Sequence, residues 1–170
     1  MMMAKTALLF AGQGAQVVGM GRDLAESHPV AKALFTQADE ALGYGLSEIC
    51  FSGPKEELVR TEHAQPAIYL VGWIALQLLR EQAPGLAFDA TAGLSLGEFT
   101  ALAAADALGF EDGLRVVRRR GEVMQEACEA SAGGMAAIVG LDEEAMRSVC
   151  DQADVSLANL NCPGQIVVSG

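Results

Sequence analysis

Ala87-Phe88-Asp89-Ala90-Thr91-Ala92-Gly93-Leu94-Ser95-Leu96-Gly97-Glu98-Phe99 is the stretch that decides the fold. Its first six residues read as a buried strand, and the Ala-rich run from Gly97 to about Leu108 reads as a helix. Between them lies Gly-x-Ser-x-Gly. A strand feeding a helix through such a turn is the context in which this pattern carries chemistry, because a nucleophile on a sharp turn needs small neighbours on both sides. The first N–H groups of the helix would then point at whatever Ser95 attacks, and the Leu96 amide is placed to stabilise an oxyanion. Taken alone, the same pattern also describes a Gly-rich turn whose serine caps the helix.

Working outward towards the N-terminus, Thr6 to Ala11 is a short apolar run that reads as a buried first strand, broken by Gly12-Gln13-Gly14. A dinucleotide fingerprint would need glycine at position 17, which is Val17, so the nucleotide reading fails. The loop can instead supply a second oxyanion donor, or its glycines can simply make the turn. Val30 to Leu42 has helical periodicity, with Pro29 suited to the first turn and Gly43 to the end. Leu46–Phe51 and Lys55–Val59 read as short helical pieces. Pro66 opens a strongly apolar segment running to about Gln82, too evenly apolar for an exposed helix and therefore a core helix.

A helix from about Glu111 to Ala130 ends before a Ser131-Ala132-Gly133-Gly134 hinge. Beyond it, Met135–Val139 reads as a strand, Asp142–Asp154 as an N-capped helix, and Val155–Ala158 and Gln165–Ser169 as strands. The expected organisation is an α/β core over residues 1–130 and a smaller β-α-β-β unit over 131–170. The chain stops at Gly170 directly after an apolar strand with nothing expected to cover that strand's edge, so the ending reads as a cut.

With 170 residues, 51% hydrophobic and 19% charged, the chain can bury one sizeable core. Eleven Lys and Arg against 22 Asp and Glu leave a net charge of −11, which argues against nucleic-acid binding through bulk charge. Apolar runs such as Ala67–Ile74 fall short of the ~18 residues that span a bilayer, and no basic segment precedes an apolar one. No membrane partner is expected, and the reading is soluble and cytoplasmic. Cys50, Cys128, Cys150 and Cys162 are far apart, and with two histidines in the chain neither a zinc site nor a disulfide framework is suggested.

Arg120 is the most informative single residue. On a helical wheel Arg115, Arg118, Arg119, Glu122, Gln125, Glu126 and Glu129 share one face, and Val116, Val117, Val123, Met124 and Ala127 the other. Arg120 falls in the middle of the apolar face. A guanidinium directed inward keeps its charge, so it needs an internal carboxylate in an ion pair or a carboxylate brought by a ligand. The other three arginines read as a solvated face balanced by Glu122 and Glu126.

The chain strongly resembles the malonyl-CoA:acyl-carrier-protein transacylases of fatty acid synthesis. The matching segments are Phe10-Ala11-Gly12-Gln13-Gly14-Ala15-Gln16, Gln65-Pro66-Ala67, Gly93-Leu94-Ser95-Leu96-Gly97-Glu98-Phe99, Arg120-Gly121-Glu122-Val123-Met124-Gln125, Gly134-Met135-Ala136-Ala137 and Asn159-Leu160-Asn161-Cys162-Pro163-Gly164-Gln165. They occur in family order and span nearly the whole chain. The resemblance implies an α/β-hydrolase-like parallel-sheet core with an incomplete ferredoxin-like small subdomain, and ping-pong transfer of a malonyl group through a serine ester to the thiol of acyl carrier protein. It implies Ser95 as the catalytic nucleophile, the amides of Gln13 and Leu96 as the oxyanion hole, and Arg120 as the holder of the malonyl carboxylate. It places the Asn161 region near the site, supporting the catalytic histidine or the substrate. Coenzyme A would be a substrate, and no cofactor or metal is expected.

Two departures from the family pattern stand out. Leu94 occupies the position before the serine where the family usually has histidine, which implies altered packing or tuning rather than lost chemistry. The family's catalytic histidine lies beyond Gly170, and neither His28, read as a surface loop residue, nor His63 is a good substitute. The expectation is an N-terminal portion of the transferase with weak activation of Ser95. Two rivals share these features: an esterase or thioesterase with the same turn, which would have no use for an inward arginine, and a non-catalytic fragment that associates through its sheet edge. An acidic carrier protein would need a local basic patch on this acidic chain, for which Arg115, Arg118 and Arg119 are candidates.

Overall fold

A computed structural model of the chain describes residues 5–130 and 133–170; Ser131 and Ala132 of the expected hinge lie outside the described residues. The chain forms two compact units, one up to Glu126 and one from Ala127 onward. Their division falls inside a helix, four residues before the boundary expected after Ala130.

The first unit is built on two parallel strands, β1 (Ala7–Phe10) and β2 (Ala90–Gly93), in register from Ala7 opposite Ala90 to Phe10 opposite Gly93. The crossover between them carries α1 (Arg22–Ser27), α2 (Pro29–Leu42), α3 (Leu46–Ser52), α4 (Lys55–Leu58) and α5 (Thr61–Gln82), and β2 leads into α6 (Gly97–Ala104) and α7 (Phe110–Ala130). α5 is the central helix: every residue from Ala64 through Leu70 is buried, as are Ile74, Leu76 and Leu78. Against it pack Phe35 and Leu42 of α2, Leu46 of α3, Leu58 of α4 and Leu114 and Val117 of α7. α2 runs as its periodicity predicts, with Pro29 in the first turn and Gly43 left-handed at its end, donating to Asp39 O.

Four expectations need correction in this unit. The strands are shorter and less buried than their apolar content suggests. Asp89 donates its N–H to Thr6 O at 2.8 Å and accepts from Thr6 N–H at 2.9 Å, so β2 begins only after it. In β1 the side chains alternate, leaving Leu9 79% exposed while Leu8 and Phe10 are half-buried. α5 begins five residues before Pro66, because a proline in the second turn forfeits only the bond to the Glu62 carbonyl. α6 stops at Ala104, short of Leu108. Asp106 is left-handed (φ 56°) and donates to Ala103 O, while Ala107 donates to Leu102 O. That is a Schellman end with aspartate where glycine is usual, which composition alone hides. α1 was not anticipated from the sequence at all.

In the second unit β3 (Met135–Val139), α8 (Glu143–Ala153), β4 (Ser156–Cys162) and β5 (Gln165–Ser169) form an antiparallel sheet of order β3-β5-β4. The Asp142 carboxylate caps α8 by accepting from Ala145 N–H at 2.8 Å, and Met146 and Cys150 bury against Ile166. β5 is the middle strand, paired with β3 on one side and β4 on the other, so the bare edge expected there does not exist. β4 also runs past Ala158 to Cys162. Asparagines at 159 and 161 disfavour a strand locally, but pairing across the Gly164 turn (φ 79°) carries it through two register shifts.

Candidate active site

Ser95 sits between β2 and α6 with a left-handed backbone, φ 53°, a conformation that costs a non-glycine residue about 1–3 kcal/mol. The neighbouring glycines permit it. A Cβ on Gly93 would lie 2.0 Å from Gly97 C, and one on Gly97 would lie 2.3 Å from Phe10 O, so α6 starts directly against both strand ends. The Gly12 loop closes over the same point: a Cβ there would meet Leu94 O at 2.6 Å, and Leu94 N–H donates to Phe10 O at 3.3 Å. The turn thus exposes Ser95 and Leu94 while burying Leu96.

Gln13 follows Gly12 in this loop, its side chain donating to Thr61 Oγ1 at 3.3 Å, and Gly14 N–H is taken by Gln16 Oε1 at 2.8 Å. Among the described residues the N–H groups of Gln13 and Leu96 have no hydrogen-bond partner, one at the end of β1 and the other at the start of α6.

Arg120 reaches Ser95 from α7. Its Nη2 donates to Ser95 Oγ at 2.8 Å and its Nη1 to Gln65 Oε1 at 2.7 Å, with the guanidinium 5.7 Å from the Phe99 ring centroid. Among the described residues no carboxylate pairs with it, so the internal ion pair that the sequence left open is not formed. α7 comes this close because Gly121 lets it touch the start of α5, where a Cβ would lie 2.6 Å from Thr61 O. Its buried stripe is Gly113, Leu114, Val117 and Gly121, while Val116, Val123 and Met124 are 39–45% exposed. The stripe is therefore rotated by roughly a fifth of a turn from the apolar face read off the wheel, and Arg120 lies on its border, half-buried. Glycine, which hydrophobicity barely weighs, decides which side packs.

Gln65 is the participant that residue-level reading missed. It is fully buried, and its Nε2 donates to Met124 Sδ at 3.2 Å while Oε1 receives Arg120. A glutamine before a proline in an apolar run was the signal available.

The other arginines of α7 are engaged. Arg115 pairs with Glu111 and Asp112, and Arg119 with Glu122 and Glu126. Arg118 is not simply solvated: it pairs with Glu122 at 2.8 Å, donates to Leu42 O and lies 5.3 Å from the Tyr44 ring centroid. Burial pushes the Glu122 carboxyl up, but hydrogen bonds from Arg118 and Arg119 outweigh it and hold the group below its ordinary range. His63 turns Nδ1 to Glu57, 3.4 Å from Oε2, and half-buried His28 joins α1 to α2; among the described residues Ser95 Oγ bonds only to Arg120. Asn161 lies on β4 of the second unit, where its side chain donates to Gln165 Oε1 at 3.3 Å. Among the described residues no cluster of His, Cys, Asp and Glu could hold a metal ion, and no helix is long and apolar enough to cross a membrane.

Residues 7–170 match the acyl transferase domain family. A malonyl CoA-acyl carrier protein transacylase from Bacillus subtilis is 51% identical over 99% of this chain and 54% of its own length. The crystal structure of the corresponding transacylase from Clostridium perfringens aligns with a TM-score of 0.90 at 41% identity, covering 98% of this chain and 54% of that one. A malonyl-transacylase solved in complex with its type II PKS acyl-carrier protein aligns with a TM-score of 0.91 at 38% identity, covering 98% and 55%. The chain spans about half the length of the relatives it matches. An α/β fold shared at this level, with residues 7–170 of the chain matching the family pattern, places the chain in the acyl transferase domain family.

Proposed function

We propose that this chain carries the nucleophile, the oxyanion donors and the carboxylate clamp of a malonyl transferase that moves a malonyl group from malonyl-CoA to the phosphopantetheine thiol of acyl carrier protein in fatty acid biosynthesis. The observation that carries the reading is Arg120, a half-buried cation with no carboxylate partner among the described residues, bonded to Ser95 Oγ. Ser95 Oγ attacks the thioester carbonyl, its proton passing to a base, and the oxyanion forms against the N–H groups of Gln13 and Leu96. Collapse breaks the C–S bond, and coenzyme A leaves as the thiol. The carrier thiol then attacks the serine ester, releasing Ser95 Oγ, which takes a proton back. Arg120 holds the malonyl carboxylate through both halves, a use of charge that a hydrolase of neutral esters lacks. No described residue fills the role of base.

The likeness to transacylases supports the finer architecture as well: an α/β-hydrolase-like core over 1–130 built on the parallel β1–β2 pair and the turn from β2 into α6, and part of a ferredoxin-like subdomain over 131–170, where an α8-covered antiparallel sheet fits. Asn161 belongs to the substrate-binding set on this reading. The partners are malonyl-CoA and an acyl carrier protein, without nucleic acid, membrane or cofactor, in the cytoplasm. Since Arg115 and Arg119 are already paired with carboxylates, they make a weak docking patch for an acidic carrier.

The test is the intact mass of the chain after incubation with malonyl-CoA and, separately, acetyl-CoA. A malonyl adduct that disappears in Ser95→Ala is expected. Arg120→Ala should lower malonyl-over-acetyl preference by roughly ten- to a hundredfold, the worth of a charged hydrogen bond. Equal labelling by both thioesters in the unaltered chain would return the esterase reading, and behaviour indifferent to Ser95→Ala the non-catalytic one.

A further inference from the structure

We propose that Met124 and Gln65 are positioning residues for Arg120, and that the Met124 sulfur keeps the Gln65 amide from turning over. The inference rests on Arg120 being the carboxylate clamp.

A guanidinium only donates, so the Gln65 atom facing it must be the carbonyl oxygen, as the 2.7 Å contact from Nη1 has it. That leaves Nε2 in need of an acceptor. Gln65 is fully buried, so water does not supply one, and the atom present is Met124 Sδ at 3.2 Å, an acceptor with no proton to give. Turning the amide over would set its N–H groups against the guanidinium and its oxygen against the sulfur, two repulsive contacts in place of two favourable ones. Arg120 and Met124 stand four residues apart on α7 and so project from the same side. One glutamine of α5 is thereby held between a donor and an acceptor of α7. With Nη1 pinned to Gln65, the guanidinium has Nη2 left to face Ser95, and its plane is set before any ligand arrives. A clamp oriented in advance binds a carboxylate without the ordering cost a free arginine carries.

The experiment is an NMR titration of the labelled chain with sodium malonate and, as a control, sodium acetate, following the Arg120 Nε–H and Gln65 side-chain NH2 signals. The variants are Met124→Leu, which keeps volume and removes the acceptor, and Met124→Gln, which restores one. Met124→Leu should leave the thermal midpoint nearly unchanged, shift both signals without ligand, and weaken malonate binding roughly three- to tenfold, the worth of one hydrogen bond. Met124→Gln should recover both signals and most of the affinity. Signals and affinity unchanged in Met124→Leu would overturn the proposal, as would a loss that Met124→Gln fails to rescue. If malonate leaves the Arg120 signal of the unaltered chain unmoved, the clamp reading itself falls, while the ligand-free signals still decide whether Met124 orients the pair.

Discussion

Gly97→Ala sets two ordinary effects against each other. Gly97 is the first residue of α6, and exchanging glycine for alanine within a helix gains up to about 1 kcal/mol in propensity. The new Cβ, however, would stand 2.3 Å from Phe10 O, 2.8 Å from Ala11 O and 2.9 Å from Phe10 C. All three are backbone atoms at the end of β1, so no side chain can rotate away and the helix itself must shift. Overpacking costs about 1–3 kcal/mol, and a clash of backbone against Cβ belongs at the upper end. Sterics win, with a net loss of about 2 kcal/mol, or roughly 4–8 °C in thermal midpoint for a chain of this size. Fluorescence of Trp73, the chain's one tryptophan, reports the first unit alone, which matters because two compact units need not unfold together. The matched control is Gly85→Ala, where a Cβ meets nothing within 4 Å and a gain of about 0.4–1 kcal/mol is expected. A Gly97→Ala chain as stable as the unaltered one would refute the claim that glycine sets the distance between strand and helix at Ser95.

Ser95→Gly should remove the left-handed strain at the turn and raise first-unit stability by about 1 kcal/mol in urea unfolding, while abolishing any acyl adduct; a destabilised variant would mean the serine conformation carries no strain. Burial pushes the Cys50 thiol up to about 12, with Asp39 adding to it, so at pH 8 a thiol-specific disulfide reagent should label exposed Cys128 and Cys162 quickly and buried Cys50 only on unfolding. Because this acid is raised above its unfolded value, the stability it contributes is complete below about pH 8.5 and is lost as pH rises through about 12. Asp142→Ala should cost α8 about 1 kcal/mol, read as faster amide exchange at Met146 and Cys150; unchanged exchange would show the cap to be redundant.

What could be read from residues alone follows the kind of physics each feature obeys. Gly93, Gly97 and Gly12 are legible because close backbone approach excludes every side chain, and steric necessity leaves the same trace wherever it occurs. Arg120 is legible because a charge in an apolar stripe needs an explanation. A helical wheel misplaces its angle because Gly113 and Gly121, which bring α7 against Tyr69 and Thr61, register as neither polar nor apolar. Gln65 stayed hidden because an uncharged polar residue in a core is satisfied by partners far away in sequence, here 55 and 59 positions on. The extent of β4 and the end of α6 depend on pairing and on a left-handed aspartate, both tertiary or conformational choices that override local preference.

The left-handed backbone at Ser95 also narrows what chemistry this position could ever host. A β-branched side chain is a steric outlier at positive φ, so threonine, although it carries the same hydroxyl, cannot stand here without pulling the turn open. Cysteine, unbranched and close in size, meets no such barrier. Substitution at this point is therefore channelled from a hydroxyl towards a thiol: the turn would sooner exchange an oxygen for a sulfur than accept one more methyl group.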